Sequence, residues 1–127
     1  MIPLLACPRH PDLRVADFPG KGRGLVAGAA IPSGTLLEQS PVLPLRAEEL
    51  GRRQDGLYSY PFDWPDPPFI EAIALGLISL INHSDTPNAD FDLDIPNKAI
   101  RLYAKRDLAE GEEITIDYGI PLWFERA

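Results

Sequence analysis

The spacing of hydrophobic and polar residues predicts a chain made mostly of short strands. Leu13 to Phe18 has the pattern of a strand that ends in a turn at Pro19-Gly20. Thr35 to Glu38 has the pattern of a strand that leaves a turn. Apolar and polar side chains alternate from Ala99 to Ala104 and again from Ile114 to Asp117, as they do in strands with one exposed face. These segments predict a mainly β fold.

One segment has the periodicity of a helix instead. Between Ile70 and Ile81, apolar residues recur at spacings that would place them on one broad helical face. The residues on this face are Ile70, Ile73, Leu77, Leu80 and Ile81. A shorter helix is expected from Ala47 to Gln54. The four prolines between Tyr58 and Pro68 favour a loop that packs on the body of the protein.

Length and composition favour one globular domain. The chain has 127 residues, 45% of them hydrophobic and 24% charged, which is enough to bury a core. We expect a single domain over residues 1–127, with its core at 13–118 and a short tail at 119–127. No apolar run reaches the length of a membrane span, and no basic segment precedes the apolar N-terminus. A cytoplasmic location is therefore expected.

Charge and metal-binding residue types restrict the partners. The formal net charge of −7 disfavours nucleic acid and anionic membranes and suits a basic protein or peptide. Negative charge also simply keeps a small protein soluble. Cys7 is the only cysteine, and His10 and His83 are the only histidines. We therefore expect no metal site.

Three acidic residues alternate along a predicted strand and share one of its faces: Asp90, Asp92 and Asp94. A calcium-binding loop is excluded, because Ile95 and Arg101 stand where it requires Gly and Glu. Two interpretations remain open. The three carboxylates form either a solvated strand face or an acidic wall that receives a basic substrate.

Three segments combine residue types that carry chemistry. Gly22-Arg23-Gly24 allows close approach to the backbone, although such a sequence is usually only a tight turn. A polar segment follows directly on an apolar stretch: Asn82-His83-Ser84, with Pro87-Asn88. Its side chains would either line a site at the end of a buried element or cap the end of a helix. The segment Gly111 to Gly119 ends a strand with a tyrosine, which presents its hydroxyl to a cavity or packs as an ordinary edge-strand aromatic.

In this order, the three segments resemble the SET domain of protein lysine methyltransferases. Gly22-Arg23-Gly24-Leu25 resembles the first cofactor motif of that family. Asn82-His83-Ser84-x-x-Pro87-Asn88 resembles its N-H-S-x-x-P-N motif, and Gly111 to Gly119 resembles its G-E-E-[IL]-T-x-x-Y-G segment. Tyr60-Pro61-Phe62 resembles a weaker tyrosine motif. The resemblance covers approximately residues 13–118.

The resemblance implies a SET-type, β-clip-like fold of small antiparallel sheets, with one short helix and a knot-like crossing of the last two motifs. It implies transfer of a methyl group from S-adenosylmethionine to a lysine amine of a protein substrate. The residues implied in cofactor binding are Gly22, Arg23, Gly24, Tyr60, Asn82 and His83. Tyr118 matches the catalytic tyrosine. Minimal stand-alone relatives include dimers, so a homodimer is a further expectation.

The substrate channel would be lined by Tyr60, Phe91, Ile116, Tyr118 and Trp123. Phe91 and Ile116 occupy positions where relatives set the number of methyl groups added, but both also suit a plain core. Trp123 and Phe124 would either close the channel as an aromatic lid or pack on the core.

Two other functions stay open at this point. One is a catalytically silent SET fold that binds a partner. The other is a hydrolase built on His10 or His83, for which the chain has no serine elbow and no metal-ligand spacing.

Overall fold

The computed structural model describes residues 4–20, 22–50 and 62–118, and within them nine strands form two sheets. The first sheet has the spatial order β1 (Leu13–Phe18), β2 (Gly22–Ala27), β9 (Glu113–Ile116) and β6 (Asn82–His83). The second has the order β4 (Phe62–Asp66), β5 (Phe69–Ala74), β3 (Leu36–Arg46), β8 (Ala99–Ala104) and β7 (Ala89–Asp94). A short helix, α1 (Ala47–Leu50), follows β3, and a 3-10 helix (Leu77–Leu80) follows β5.

One hydrophobic core joins the two sheets. Leu25 and Ile114 enter it from the first sheet, Leu37 and Ile100 from the second, and Ile78 from the 3-10 helix. Each of these side chains is almost completely removed from solvent. Full burial of such a side chain contributes about 1.5–3 kcal/mol, so the sheets and the 3-10 helix are held together mainly by this cluster.

Most of the predicted strands are confirmed. β1 spans Leu13–Phe18 and β8 spans Ala99–Ala104, which are the bounds predicted for them. The strand expected at Thr35 to Glu38 begins at Leu36 and continues to Arg46. The short helix expected from Ala47 begins there as α1, while residues 51–54 lie outside the described residues.

The helix predicted from Ile70 to Ile81 is wrong. Phe69–Ala74 is strand β5, and only Leu77–Leu80 is helical, as a 3-10 turn. The physical reason is the position of β5 between two partners, β4 on one edge and β3 on the other. Its backbone groups are satisfied by two neighbouring strands, and a short apolar run has no periodicity that separates a buried strand from a helix.

The loop predicted from Tyr58 to Pro68 is wrong in its second half. Phe62–Asp66 is strand β4, and Pro67-Pro68 forms the turn into β5. β4 lies at the edge of its sheet, where a strand tolerates Pro65 because one of its sides needs no hydrogen-bond donor. Residues 51–61, which include the first part of the predicted loop, lie outside the described residues.

Candidate functional site

The site is organised by a parallel pair of strands. β6 pairs with β9 in register, Asn82 with Thr115 and His83 with Ile116. The other strand pairs among the described residues are antiparallel. Just beyond β6, the backbone N–H of Ser84 donates to the Ile116 carbonyl at 2.9 Å. The expected juxtaposition of the Asn82-His83 segment with the chain that leads to Tyr118 is therefore confirmed.

Asn88 fastens this crossing. The residue is 3% exposed, and its Oδ1 accepts the Thr115 N–H at 2.9 Å. Its Nδ2 donates to the Glu113 carbonyl at 2.7 Å and to Glu112 Oε2 at 3.2 Å. Sequence reasoning placed Asn88 in a motif without a role. In the structure, Asn88 is buried and its hydrogen bonds hold β9 against the Asn82-His83 segment.

Tyr118 is held by hydrogen bonds from both its side chain and its backbone. Its hydroxyl donates to the Ile81 carbonyl at 2.9 Å, and its backbone N–H donates to His83 Nδ1 at 3.0 Å. The rings of Tyr118 and His83 contact each other at a centroid distance of 5.0 Å. The phenol is therefore fixed directly beside the Asn82-His83 segment. Sequence reasoning could not find the Ile81 contact, because a backbone carbonyl leaves no signal in residue type.

His83 uses both ring nitrogens within the protein. Because Nδ1 accepts the Tyr118 N–H, the proton of the neutral ring belongs on Nε2, which donates to Asp85 Oδ1 at 2.9 Å. Asp117 Oδ1 lies 3.7 Å from Nδ1. Only 13% of the His83 side chain is exposed. Its ring is therefore a structural clamp, and His83 is suited to contact a ligand through its backbone groups.

Gly24 is required by what packs against it. A Cβ at this position would lie 2.6 Å from Asn82 Nδ2 and 3.0 Å from Glu113 Oε2, closer than a side chain tolerates. Asn82 Nδ2 in turn donates to that same carboxylate oxygen at 2.8 Å. Gly22 is needed for a different reason, since its φ of 79° lies in the left-handed region. Gly22 therefore allows the backbone conformation of the turn, and Gly24 leaves room for the Asn82-Glu113 pair.

The remaining predicted site residues differ in what the structure shows of them. Arg23 is exposed, with its Nε 3.8 Å from Asp17 Oδ1. Phe91 is half-buried and packs edge-on against Phe62 at 5.4 Å. Ile116 is fully buried in the core. The roles proposed for these residues stay predictions, as do those of two residues outside the described ranges, Tyr60 and Trp123.

The acidic strand face is partly neutralised. Asp92 Oδ1 accepts from Arg101 Nε at 2.8 Å. A hydrogen bond from the Asn97 side chain lowers the pKa of Asp94. Burial, followed by the charges of Asp90 and Asp92, raises the pKa of Tyr103. These contacts favour the interpretation as a strand face with its own ion pair, while Asp90 remains exposed.

Two features are absent from residues 4–20, 22–50 and 62–118. No helix in these ranges is long and apolar enough to cross a membrane. In the same ranges, no three His, Cys, Asp or Glu side chains are grouped so that they could hold a metal ion.

The geometry agrees with comparison to known proteins. The sequence profile of the SET domain matches residues 22–119, which include the two glycines, the Asn82-His83 segment and Tyr118. The chain belongs to the SET-domain family. The SET fold and the enzyme class expected from the three motifs, a protein-lysine methyltransferase, are confirmed.

Relatives of this SET domain differ in how much of their length it covers. A Schizosaccharomyces pombe histone-lysine N-methyltransferase, described as specific for lysine 37 of histone H3, is 38% identical over 98% of this chain and 82% of its own. A Mycosarcoma maydis enzyme, described as specific for lysine 4 of histone H3, is 32% identical over 87% of this chain but only 8% of its own. The SET domain therefore spans most of the first relative and a small part of the second.

A solved structure shows the same fold. The crystal structure of a histone methyltransferase candidate from Plasmodium falciparum superposes with a TM-score of 0.69 at 24% identity. The match covers 91% of this chain and 99% of that one. The two sheets therefore have the arrangement of the SET fold.

Use of S-adenosylmethionine is a trait of SET methyltransferases, and the residues of this SET domain fit it. The amino acid part of that molecule carries an ammonium group, which requires acceptors. Asn82 Nδ2 lies against Gly24 and is engaged by Glu113 Oε2, which leaves the Asn82 amide oxygen as an acceptor for a ligand. The donor and acceptor chemistry of this corner therefore suits a cationic amino acid group.

Proposed function

We propose that this SET domain binds S-adenosylmethionine and transfers its methyl group to the side-chain nitrogen of a lysine in a basic protein. The observation that carries the proposal is the meeting of Asn82, His83 and Tyr118 at the β6-β9 junction. Residues separated by 35 positions in sequence are held there by direct hydrogen bonds.

The cofactor-binding residues we propose are Gly22, Arg23, Gly24, Asn82 and His83, with Tyr60 from outside the described residues. Asn82 would bind the amino acid part, and His83 would contribute backbone groups because its ring nitrogens are engaged. When bound, S-adenosylmethionine supplies a methyl group already activated by a positively charged sulfur. The protein then has to bind the cofactor, orient the lysine amine towards the methyl group and exclude water from both.

Tyr118 is the catalytic residue of the proposal. The ordinary pKa of a lysine is about 10.4, so the amine must lose a proton to water before it can attack. A half-buried, partly dry position disfavours the charged ammonium. The Tyr118 hydroxyl, held by the Ile81 carbonyl at 2.9 Å, offers an oxygen that orients the neutral amine. Positioning of this kind accounts for several kcal/mol of barrier in well-aligned reactions.

The proposed substrate is a lysine in a basic, histone-like segment. The net charge of −7 and the exposed carboxylate of Asp90 favour a cationic partner over nucleic acid or an anionic membrane. The Schizosaccharomyces pombe relative is described as acting on histone H3, which agrees with this class. A cytoplasmic location and a homodimer are further parts of the proposal.

The decisive experiment is incubation with isotopically labelled S-adenosylmethionine and histone or lysate proteins, followed by mass spectrometry of the labelled residue. We expect label on lysine side chains. Calorimetric titration with S-adenosylmethionine runs beside it. Absence of heat and of a thermal shift would contradict the proposal and favour the alternative, a catalytically silent SET fold that binds a partner.

Tyr118→Phe tests the catalytic assignment. Loss of the hydroxyl is expected to lower the rate of methyl transfer by about 100-fold, while stability falls by only about 1 kcal/mol for the lost hydrogen bond to Ile81. Transfer is measured with labelled cofactor, and folding is checked by circular dichroism. Tyr103→Phe, on β8 and away from this junction, is the matched control. Full activity of a folded Tyr118→Phe protein would rule out the assigned role.

A further inference from the structure

We propose that Glu113 is a positioning residue that fixes the orientation of the Asn82 side-chain amide, so that its oxygen is presented to a cationic amino acid group. The inference rests on the proposed function, because it specifies how that cofactor site chooses its ligand. It depends on three observations: one hydrogen bond, one close-packed glycine and the strand pairing around them.

The hydrogen bond determines which way the amide faces. A side-chain amide has a donor end and an acceptor end, and their assignment follows from the partner. An ionised carboxylate only accepts, so the 2.8 Å contact with Glu113 Oε2 must be made by Asn82 Nδ2. Oδ1 is then the end that can accept from a ligand.

The packing limits movement of this pair. Gly24 on β2 has no Cβ, and the space beside its Cα holds both Asn82 Nδ2 and Glu113 Oε2. The Phe18 ring closes the same space, with Cε2 2.9 Å from where a Cβ would stand. The packing therefore holds the side chain in place, while the choice between its two amide ends, which have nearly the same shape, is made by the hydrogen bond.

The strand pairing places Glu113 on a strand that is held on both sides, from which it can fix the Asn82 side chain. β9 lies between β2 and β6, and Glu113 pairs with Val26 on one side while Thr115, two residues further along β9, pairs with Asn82 on the other. The Glu113 side chain is thus carried by the central strand of the junction. It reaches an edge-strand residue whose own strand is only two residues long. Such a short strand has little intrinsic rigidity, and the carboxylate supplies an anchor.

The consequence is selectivity between two kinds of ligand group. With Nδ2 engaged, Asn82 offers an acceptor, which suits an ammonium group and does not suit a carboxylate. The opposite amide orientation would reverse this preference. Glu113 thereby selects for the α-ammonium of the cofactor's amino acid part through Asn82.

The test compares two ligands by calorimetry: S-adenosylhomocysteine and its counterpart that lacks only the α-amino group. For Glu113→Ala, we expect affinity for S-adenosylhomocysteine to fall about tenfold, the size of one hydrogen bond to a charged group. Affinity for the deaminated ligand is expected to stay within about twofold of wild type, because its binding uses no amide acceptor. Glu110→Ala removes an exposed glutamate from the preceding turn and serves as the charge-matched control.

A double-mutant cycle separates positioning from direct contact. In the Asn82→Ala background, adding Glu113→Ala should cause no further loss of amine-dependent affinity. A persistent tenfold loss there, or equal losses for both ligands in the single variant, overturns the inference. If Glu113→Ala does not fold, Glu113→Asp removes one methylene and withdraws the carboxylate from Asn82, and the same ligand difference is expected. Failure of the wild-type protein to bind either ligand would instead contradict the proposed function itself.

Discussion

At the scale of single residues, two asparagines of one motif have different tasks. Asn82 is half-buried and paired with a carboxylate at the edge of the site. Asn88 is buried and makes three hydrogen bonds that tie β9 in place. The residue type is the same because both tasks need a donor and an acceptor on one short side chain.

Asn88→Asp tests these hydrogen bonds with almost no change of shape. Aspartate keeps the acceptor for the Thr115 N–H but loses the donor and places a carboxylate 3.2 Å from Glu112. We expect the free energy of unfolding to fall by about 2–3 kcal/mol, because buried groups lose partners and like charges meet. Urea denaturation measures the change, and Asn97→Asp in an exposed turn is the control. A loss below the control would show that Asn88 does not hold the crossing.

Glu112 predicts the response of the fold to acid. The Arg106 guanidinium, then the Ala109 N–H, hold the pKa of Glu112 at about 2, below its usual value of 4.5. The carboxylate therefore contributes stability that is complete above pH 4.5 and is lost as pH falls through 2.

The matching experiment is thermal denaturation across that pH window. Glu112→Gln should be less stable than wild type at neutral pH, and the gap should narrow as the pH falls from 4.5 towards 2. A constant gap at every pH would show that ionisation of Glu112 does not stabilise the fold.

At the scale of elements, the 3-10 helix Leu77–Leu80 is placed by a buried carboxylate. Glu38 on β3 is 2% exposed and accepts the N–H groups of Leu77 at 3.1 Å and Ile78 at 2.9 Å. It also accepts from Ser40 Oγ and from Arg9 Nε. Because Ile81 and Asn82 follow this helix directly, Glu38 determines where the site segment begins.

Glu38→Ala is expected to lower the free energy of unfolding by on the order of 3 kcal/mol, since several buried donors lose their acceptor. Glu48→Ala, an exposed glutamate on α1, is the matched control and should change stability by less than about 0.5 kcal/mol. Chemical denaturation followed by intrinsic fluorescence gives both values. Similar behaviour of the two variants would mean that the 3-10 helix does not depend on Glu38.

At the scale of the whole molecule, charge governs encounter with the proposed substrate. A protein of net charge −7 attracts a basic peptide over a distance set by salt, about 30 Å at 0.01 M and about 3 Å at 1 M ionic strength. We expect KM for a basic peptide to rise several-fold over that range while kcat changes little, because steering acts on association. A peptide of the same lysine context but neutral overall should show no such rise. If KM for the basic and the neutral peptide responded equally to salt, charge would not determine the choice of substrate.

Much of the fold could be predicted from alternation of residue types. β8 has the predicted bounds because Ile100, Leu102 and Ala104 face the core while Arg101 and Tyr103 alternate with them and are only half-buried. β5 could not be predicted in this way, because its last three residues are all buried and its burial comes from partners on both edges. β4 was hidden by its prolines, which only an edge position tolerates.

The sequence by itself determined the family, the mainly β fold and the residue types of the site, because motif spacing and alternation are local properties of the chain. Only the tertiary structure decided which of those residues meet. The contacts of Asn88 with β9, of Tyr118 with Ile81 and of Glu113 with Asn82 each join segments that are at least 24 positions apart. Such contacts depend on how two sheets and one parallel strand pair pack together, and no local pattern encodes that packing.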